Sequence, residues 1–375
     1  MKTQNRYNII FYVLLSMASV VGMAQDADES DAKTIQFSLV YPIGTNGQQS
    51  HRVANDISLN LIAGYNGAVN SVEVGGIYNI TRKYVRGLQL SGFGNAVGGE
   101  VRGVQLAGFI NTNKGFTQGA QLAGFVNLSG GHVSGAELAG FFNLAESNKG
   151  LQIAGFGNLN KAIQGVQSAG FINISGDVKG AQLAGFINIA KQLRGVQVGF
   201  INISDSVGSG AQVGLINIAR KNGFISLGLE TDEAMPYRLA FRSGMDYFYT
   251  VLTVGVDASD DYWSWGAGLG SRLFLSQKRT VFINPEVRWE QISDGKIDYD
   301  DFCHLTKLNM NVGYHFHPNF YLTAGPSLNF YVTNDLDQNG NPKVDLSSHQ
   351  TYDKLNGGNR YQLWFGYNVG LGFKF

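Results

Sequence analysis

The segment Asp335-Leu336-Asp337-Gln338-Asn339-Gly340 alternates carboxylate and amide oxygens and closes on glycine, which is how a calcium loop opens. Calcium takes roughly six to eight oxygen ligands, and the twelfth position of such a loop is ordinarily a bidentate Glu. That position is Leu346 here, which leaves Asp345 as the substitute. A calcium site on Asp335, Asp337, Asn339 and Asp345 is one expectation; a solvated polar loop is the other. Asp294, Asp298, Asp300 and Asp301 make a second acidic stretch, read as a solvated loop. His315 and His317 have a spacing that could hold a metal, but no third ligand lies near in sequence, so they read as surface histidines of a short turn. Cys303 beside His304 has the residue types of a thiol nucleophile, yet a lone Cys near a strand start is more often inert. Gly266-Ala267-Gly268-Leu269-Gly270 has the glycines of a nucleotide loop but sits inside an alternating strand with no helix after it. No catalytic or cofactor-binding residue is assigned, and calcium is the only metal considered.

The elements that must carry these residues begin with a tandem repeat. Asn79, Asn95, Asn111, Asn127, Asn143, Asn158, Asn173, Asn188, Asn202 and Asn217 recur every 14 to 16 residues. Most units read apolar-x-Gly-x-Gln-x-Ala-Gly-Phe-x-Asn, as in Val178, Gly180, Gln182, Ala184, Gly185, Phe186 and Asn188. Two architectures fit: one coil of a β-solenoid per unit, or one strand of an antiparallel meander continuing into a large barrel. Gln182 to Phe186 is one residue longer than Gln197 to Phe200, and such a slip inside a strand would reverse every later side chain between faces. At an Ala-Gly corner the slip is harmless, and a solenoid would stack Asn on Asn and Gln on Gln as amide ladders. We therefore expect the solenoid, with the meander as the alternative.

Lys2 and Arg6 precede an apolar run from Ile9 to Val21, and Gly22-Met23-Ala24 forms a small-x-small site, so residues 1–24 read as an export signal cleaved between Ala24 and Gln25. No later segment offers about 20 consecutive apolar residues, so a membrane span would have to be a closed β-barrel. The single cysteine excludes an internal disulfide, and none follows the signal to carry a lipid anchor. Zero formal net charge and a 15% charged fraction argue against nucleic acid and anionic membrane surfaces as partners of the chain as a whole.

Residues 223–375 follow a different grammar. In the last strand Tyr361, Leu363, Phe365, Tyr367, Val369, Leu371, Phe373 and Phe375 alternate with Gln362, Trp364, Gly366, Asn368, Gly370, Gly372 and Lys374, one face suited to lipid and the other to a packed polar lumen. Val281 to Glu290 and Trp263 to Gly270 alternate in the same way. Arg272, Glu286, Arg288, Glu290 and Lys374 fall on inward faces, where opposite charges can pair in a narrow barrel. Eight strands are expected, near 224–230, 237–243, 247–256, 262–274, 280–290, 304–314, 319–331 and 361–375. Their connections are short on one side and long at 291–303 and 332–360.

On these residues the C-terminal part resembles the bacterial outer-membrane barrel family, whose last strand alternates aromatics and ends in Phe, as Phe375 does here. Gly195, Gln197, Gly199, Phe200 and Asn202, and again Gly210, Gln212, Gly214, Leu215 and Asn217, resemble the GxQxGΦxN surface repeats (Φ, Phe or Leu) of a family of bacterial envelope proteins. Earlier units carry an extra Ala before the Gly. These resemblances imply a Gram-negative outer membrane, with its lipid and the barrel assembly machinery as partners, and name no ligand and no activity.

The expected organisation is an export signal at 1–24, N-terminal strands leading into the repeats at 25–70, tandem repeats at 71–222 and an eight-stranded barrel at 223–375. The expected function is a non-enzymatic outer-membrane protein with a barrel anchor and a repeat scaffold or binding surface. A passive pore in a larger barrel, a secreted or surface adhesin, and an envelope lipid-modifying enzyme are the alternatives.

Overall fold

The computed structural model describes residues 32–257, 262–293, 302–347 and 349–375. The export signal with its Ala24-Gln25 cleavage site, and the acidic stretch Asp294, Asp298, Asp300 and Asp301, lie outside the described residues. The chain is all-β and divides into two units, the first ending at Gly199 and the second starting at Phe200.

The first unit is a parallel β-solenoid, one coil per repeat. Asn111 stands opposite Asn127, Gln105 opposite Gln121, Asn158 opposite Asn173 and Gln167 opposite Gln182, all in parallel register. The repeats are therefore coils, and the meander is not formed. Stacking starts before the repeat formula is recognisable: Ala32–Val40 pairs in parallel with Ala54–Asn60, which pairs with Ala68–Gly75. The extended segment that starts at Ala54 breaks at Leu61-Ile62 into Ala54–Asn60 and Ala63–Asn66. That break is the same corner that later coils make with Gly-Phe, since the Ile77 N–H donates to the Ile62 carbonyl and the Phe93 N–H to that of Ile77. The polar segment between the first strands forms the 3₁₀ turn Gly47–Arg52. The adjoining Asn46 is buried, and its Nδ2 donates to Gln36 Oε1 (2.7 Å) and Asn55 Oδ1 (3.0 Å), closing the polar end of the stack.

Changes of repeat length are absorbed at corners. The switch from sixteen to fifteen residues sets Gly130-Gly131 against Glu146 alone, the register moving from Ser129↔Ala145 to His132↔Ser147. From Gly87 onward one glycine per coil forms a column: Gly135, Gly150, Gly165 and Gly180 have φ of 137°, 139°, 139° and 132°. A Cβ on Gly165 would also stand 2.0 Å from the Gly150 carbonyl oxygen below it. Both the conformation and the 4.8 Å class of strand spacing demand glycine there.

The second unit starts with two coils, Ile201–Val213 and Ile216–Lys221, paired in parallel. The eight expected strands follow as Gly223–Asp232, Tyr237–Met245, Phe248–Asp257, Tyr262–Gly270, Val281–Ser293, Cys303–His317, Phe320–Thr333 and Asn359–Lys374. Each is antiparallel to the next, and the first pairs with the last through Leu229↔Leu371, so the barrel closes. The strand expected over 262–274 ends at Gly270 and resumes as the short Leu273–Phe274, and the long connection adds a short strand, Tyr352–Asn356.

Gly165→Ala should destabilise the solenoid by about 2 kcal/mol or more, from backbone strain plus overpacking. Hydrogen exchange read by mass spectrometry should show lost protection in the coils on either side of residue 165, with the barrel unchanged.

Candidate functional site

The solenoid interior combines buried Asn and Gln columns with a buried aliphatic row that includes Val85, Val101, Val133, Ile163, Val178 and Leu193, while its outer face also carries many apolar side chains. In the Asn column each Nδ2 donates to the Oδ1 of the next coil at 2.9–3.0 Å, unbroken from Asn79 to Asn188. The second Nδ2 hydrogen of each Asn reaches across its corner to a main-chain carbonyl, as from Asn143 to Ile153 (2.6 Å) and from Asn158 to Ser168 (2.8 Å). The Asn thus braces the Gly-Phe corner that precedes the following coil. In the Gln column the bonds run the other way, each Nε2 donating to the Oε1 of the preceding coil at 2.6–2.8 Å.

Two glutamates occupy the Gln column. Glu73 stands opposite Gln89 and receives Asn60, Asn66, Thr81 and Gln89 as donors. Glu137 stands between Gln121 and Gln152. Its Oε2 accepts from Asn148 Nδ2 (3.0 Å) and Gln152 Nε2 (2.8 Å), while its Oε1 lies 2.9 Å from Ser129 Oγ. Ser129 Oγ is also 2.6 Å from Gln121 Oε1, and one hydroxyl proton cannot serve both oxygens. A neutral Glu137 resolves this: its O–H donates to Ser129, Ser129 donates to Gln121, and the column keeps its direction through a carboxylic acid in place of an amide. Burial pushes both carboxyls up to about 7, against which their hydrogen-bond donors pull only partly.

The corners carry Phe93, Phe109, Phe125, Phe141, Phe156, Phe171 and Phe186, a stack with ring centroids 4.8–5.1 Å apart. Each ring is between 37% and 46% exposed, so a continuous aromatic ridge faces outward.

The barrel interior is filled by charge. Arg242 Nε donates to Glu286 Oε1 (2.7 Å) and also pairs with Glu230; Arg288 Nη1 donates to Glu230 Oε2 (2.5 Å) and Arg288 Nε to Glu286 Oε2 (2.9 Å). Arg238 bridges Glu290 (2.9 Å) and Asp232, whose Oδ2 is also 2.9 Å from Lys307 Nζ. Four buried acids and four buried bases form this network, and Glu233 adjoins it 3.6 Å from Lys307 Nζ. Of the five inward charges expected from sequence, Glu286, Arg288 and Glu290 belong to it, whereas Arg272 pairs with Asp246 and lies 3.7 Å above the Phe224 ring. Glu230, Asp232, Arg238, Arg242 and Lys307 were missed, though the same alternation, carried onto their strands, marks them as inward. The glycines of 266–270 lie opposite this bulk: a Cβ on Gly266 would meet Glu290 Cγ at 2.6 Å, and one on Gly270 the Tyr249 ring at 2.5 Å.

The end with the longer connections is closed by an apolar plug of Ala234, Met235, Tyr262, Leu305, Tyr331 and Trp364, into which Val344 and Leu346 insert from the long loop. Leu346, at the position where a calcium loop carries its Glu, is thus a core residue. Asp335 pairs with Lys343; Asp337 Oδ1 accepts from the Asn339 and Asn341 N–H groups, which, Asn341 foremost, hold its carboxyl below the usual range; Asp345 Oδ1 accepts from the Ser347 N–H (3.3 Å). Among the described residues no group of three or more His, Cys, Asp or Glu is placed to hold a metal ion. His315 is not a free surface histidine, being half-buried against Phe274, Phe282 and Tyr321. Cys303 is buried, with Sγ 3.0 Å from Thr333 Oγ1, and its strand turns His304 to the other face, where it packs on Trp289 and Phe302.

No family model, curated protein or solved structure matches this chain. Its reading rests on the geometry above.

Glu137→Gln should restore an uninterrupted amide column. The folded carboxyl lies near 7 against an ordinary 4.5. Glu137 therefore favours folding fully below about pH 4.5, and that contribution is lost as pH rises through 7. Relative to the parent, the variant should be more stable by about 2–3 kcal/mol at pH 8 and equal near pH 4.5. Chemical denaturation of both proteins across pH 4.5–8.5 checks this, Glu73 being common to both.

Proposed function

We propose that this chain is a non-enzymatic outer-membrane protein in which the eight-stranded barrel is the anchor and the solenoid is a scaffold that presents a binding surface. The observation that carries this reading is the barrel's inversion of polarity. Its outer face exposes Leu229 (64%), Val254 (58%), Val312 (57%) and Phe365 (71%), while its inner face buries a balanced ion network. Such a surface is costly in water and at home in hydrocarbon, and the closed ladder leaves no backbone edge for lipid to strand. The outer-membrane lipid is then the barrel's solvent, and the barrel assembly machinery its partner during biogenesis. An export signal over residues 1–24 fits that destination.

A filled lumen supports an anchor over a pore. Eight strands leave room for side chains alone, and here Arg, Glu and the plug occupy it. The two coils of the second unit seat on the barrel end bearing the short 246–247 turn: the Asn217 N–H donates to Ser243 Oγ (3.0 Å) and Asn217 Nδ2 to Thr250 Oγ1 (3.0 Å). With short turns on the periplasmic side, as in barrels of this class, the solenoid is periplasmic and the 334–358 loop faces outward.

In a Cys303→Ser background, Gln338→Cys should react with a membrane-impermeant maleimide on intact cells, and Glu146→Cys should react only after permeabilisation. Labelling of both on intact cells would reverse the topology. The purified protein in planar bilayers should give no steady conductance steps; stable steps would make it a pore.

A further inference from the structure

Five rows lie side by side on one face of the solenoid, in the order set by the parallel register. The first contains Arg86, Arg102, Lys149, Lys179 and Arg194, all exposed, its other three positions being Gln118, Ser134 and Gln164. Next comes the glycine column, then an outward apolar row that includes Leu151 and Val196. A second apolar row follows, with Leu90, Ile153, Leu183 and Val198, and the Phe ridge stands at the corner. No acid occurs in the basic row. Across residues 82–199 there are ten Lys and Arg against four acids, one of which is the buried Glu137.

We propose that this face docks on an anionic lipid surface, with the Phe ridge and the two apolar rows entering the acyl boundary and the Lys/Arg row meeting headgroup phosphates. This rests on the outer-membrane reading above and names the ligand of its binding surface. The chemistry is that of an interfacial amphipathic element, an apolar stripe flanked by cations, built here on a sheet instead of a helix. Lys149 and Leu151 are two residues apart on one strand, which puts the charge about 7 Å from the first apolar row. That offset matches the shallow depth, about 5–10 Å, at which interfacial elements sit. The ridge has seven rings at strand spacing and runs about 30 Å, long enough to lie along a membrane and not through it. The basic row selects a lipid surface over a purely apolar protein groove, which would offer it no counter-charge beyond the Glu100 carboxylate that Arg102 already holds at 3.2 Å. Each cation near an anionic membrane adds attraction that salt weakens.

The test uses the full chain reconstituted in vesicles, in the Cys303→Ser background, with an environment-sensitive fluorophore on Phe141→Cys, Phe171→Cys or, as an edge control, Lys161→Cys. Quenching by lipids spin-labelled in the acyl chain is compared between phosphatidylcholine vesicles and vesicles with 30% phosphatidylglycerol. The proposal expects strong quenching at 141 and 171, several-fold weaker quenching at 161, and an increase with phosphatidylglycerol. The quadruple variant Arg102→Glu, Lys149→Glu, Lys179→Glu, Arg194→Glu alters only exposed side chains. It should cut quenching at 141 at least threefold in the anionic vesicles, with unchanged circular dichroism. No quenching at 141 and 171 in a protein that stays with the vesicles through carbonate washing overturns the docking and leaves the barrel standing. A protein washed off the vesicles overturns the barrel reading itself. Quenching that is absent while the fluorophores at 141 and 171 report chain–chain proximity, rising with protein density, would assign the ridge to a second copy and overturn the proposal.

Discussion

A primary amide in a dry interior has two donor hydrogens and an acceptor oxygen, and leaving one unpaired costs about 1–3 kcal/mol. The solenoid answers that constraint by repetition. An identical amide one strand spacing away offers complementary groups at hydrogen-bond distance, so Asn127 is satisfied because Asn111 and Asn143 exist. Everything else in the coil follows from keeping those amides in register: the left-handed glycines, the close-packed corners, and the absorption of length changes outside the ladders. Because the amide columns share the interior with an aliphatic row, many apolar residues, the Phe ridge among them, stand on the outer face.

The barrel meets the opposite problem with the same economy. Its lumen is too narrow for water to solvate eight charged side chains, so acids and bases interleave there, with Glu230, Asp232 and Glu286 each shared between two cations. Glycines facing Arg288, Glu290 and Tyr249 make space for those side chains. The ion network and the plug fill the lumen, and the outward positions are left to apolar side chains such as Leu229 and Val254.

Much of this was legible in the sequence. The period of the Asn residues named the repeat, and the single-residue deletion between Gln197 and Phe200 favoured coils over strands because only a corner tolerates it. The alternation in Tyr361 to Phe375 and in Val281 to Glu290 assigned inward and outward faces that the structure reproduces. What escaped was governed by partners distant in sequence. Coils before residue 71 lack the Gln-Ala-Gly-Phe formula and are recognised only by pairing with later ones. Arg238, Arg242 and Lys307 lie on strands whose charges make no local pattern. The place of Leu346 in the plug also has no local sign in the Asp335 segment, because its cluster partners lie as far back as Ala234. The corner role of each Asn, reaching over to a carbonyl such as that of Ile153, is also invisible until the chain has turned.

The Asn and Gln columns donate in opposite directions along the stack. Each side-chain amide has a dipole comparable to that of a peptide unit, and a single column of them would sum as a helix does, building partial charge at its ends. Two opposed columns cancel coil by coil. The solenoid therefore has no electrostatic length limit: a duplicated or deleted repeat adds or removes a neutral pair of rungs and leaves the ends as they were. Whole-unit changes in repeat number are thus the mutations this architecture absorbs most readily, and the extent of its outer face can vary while the barrel stays the same.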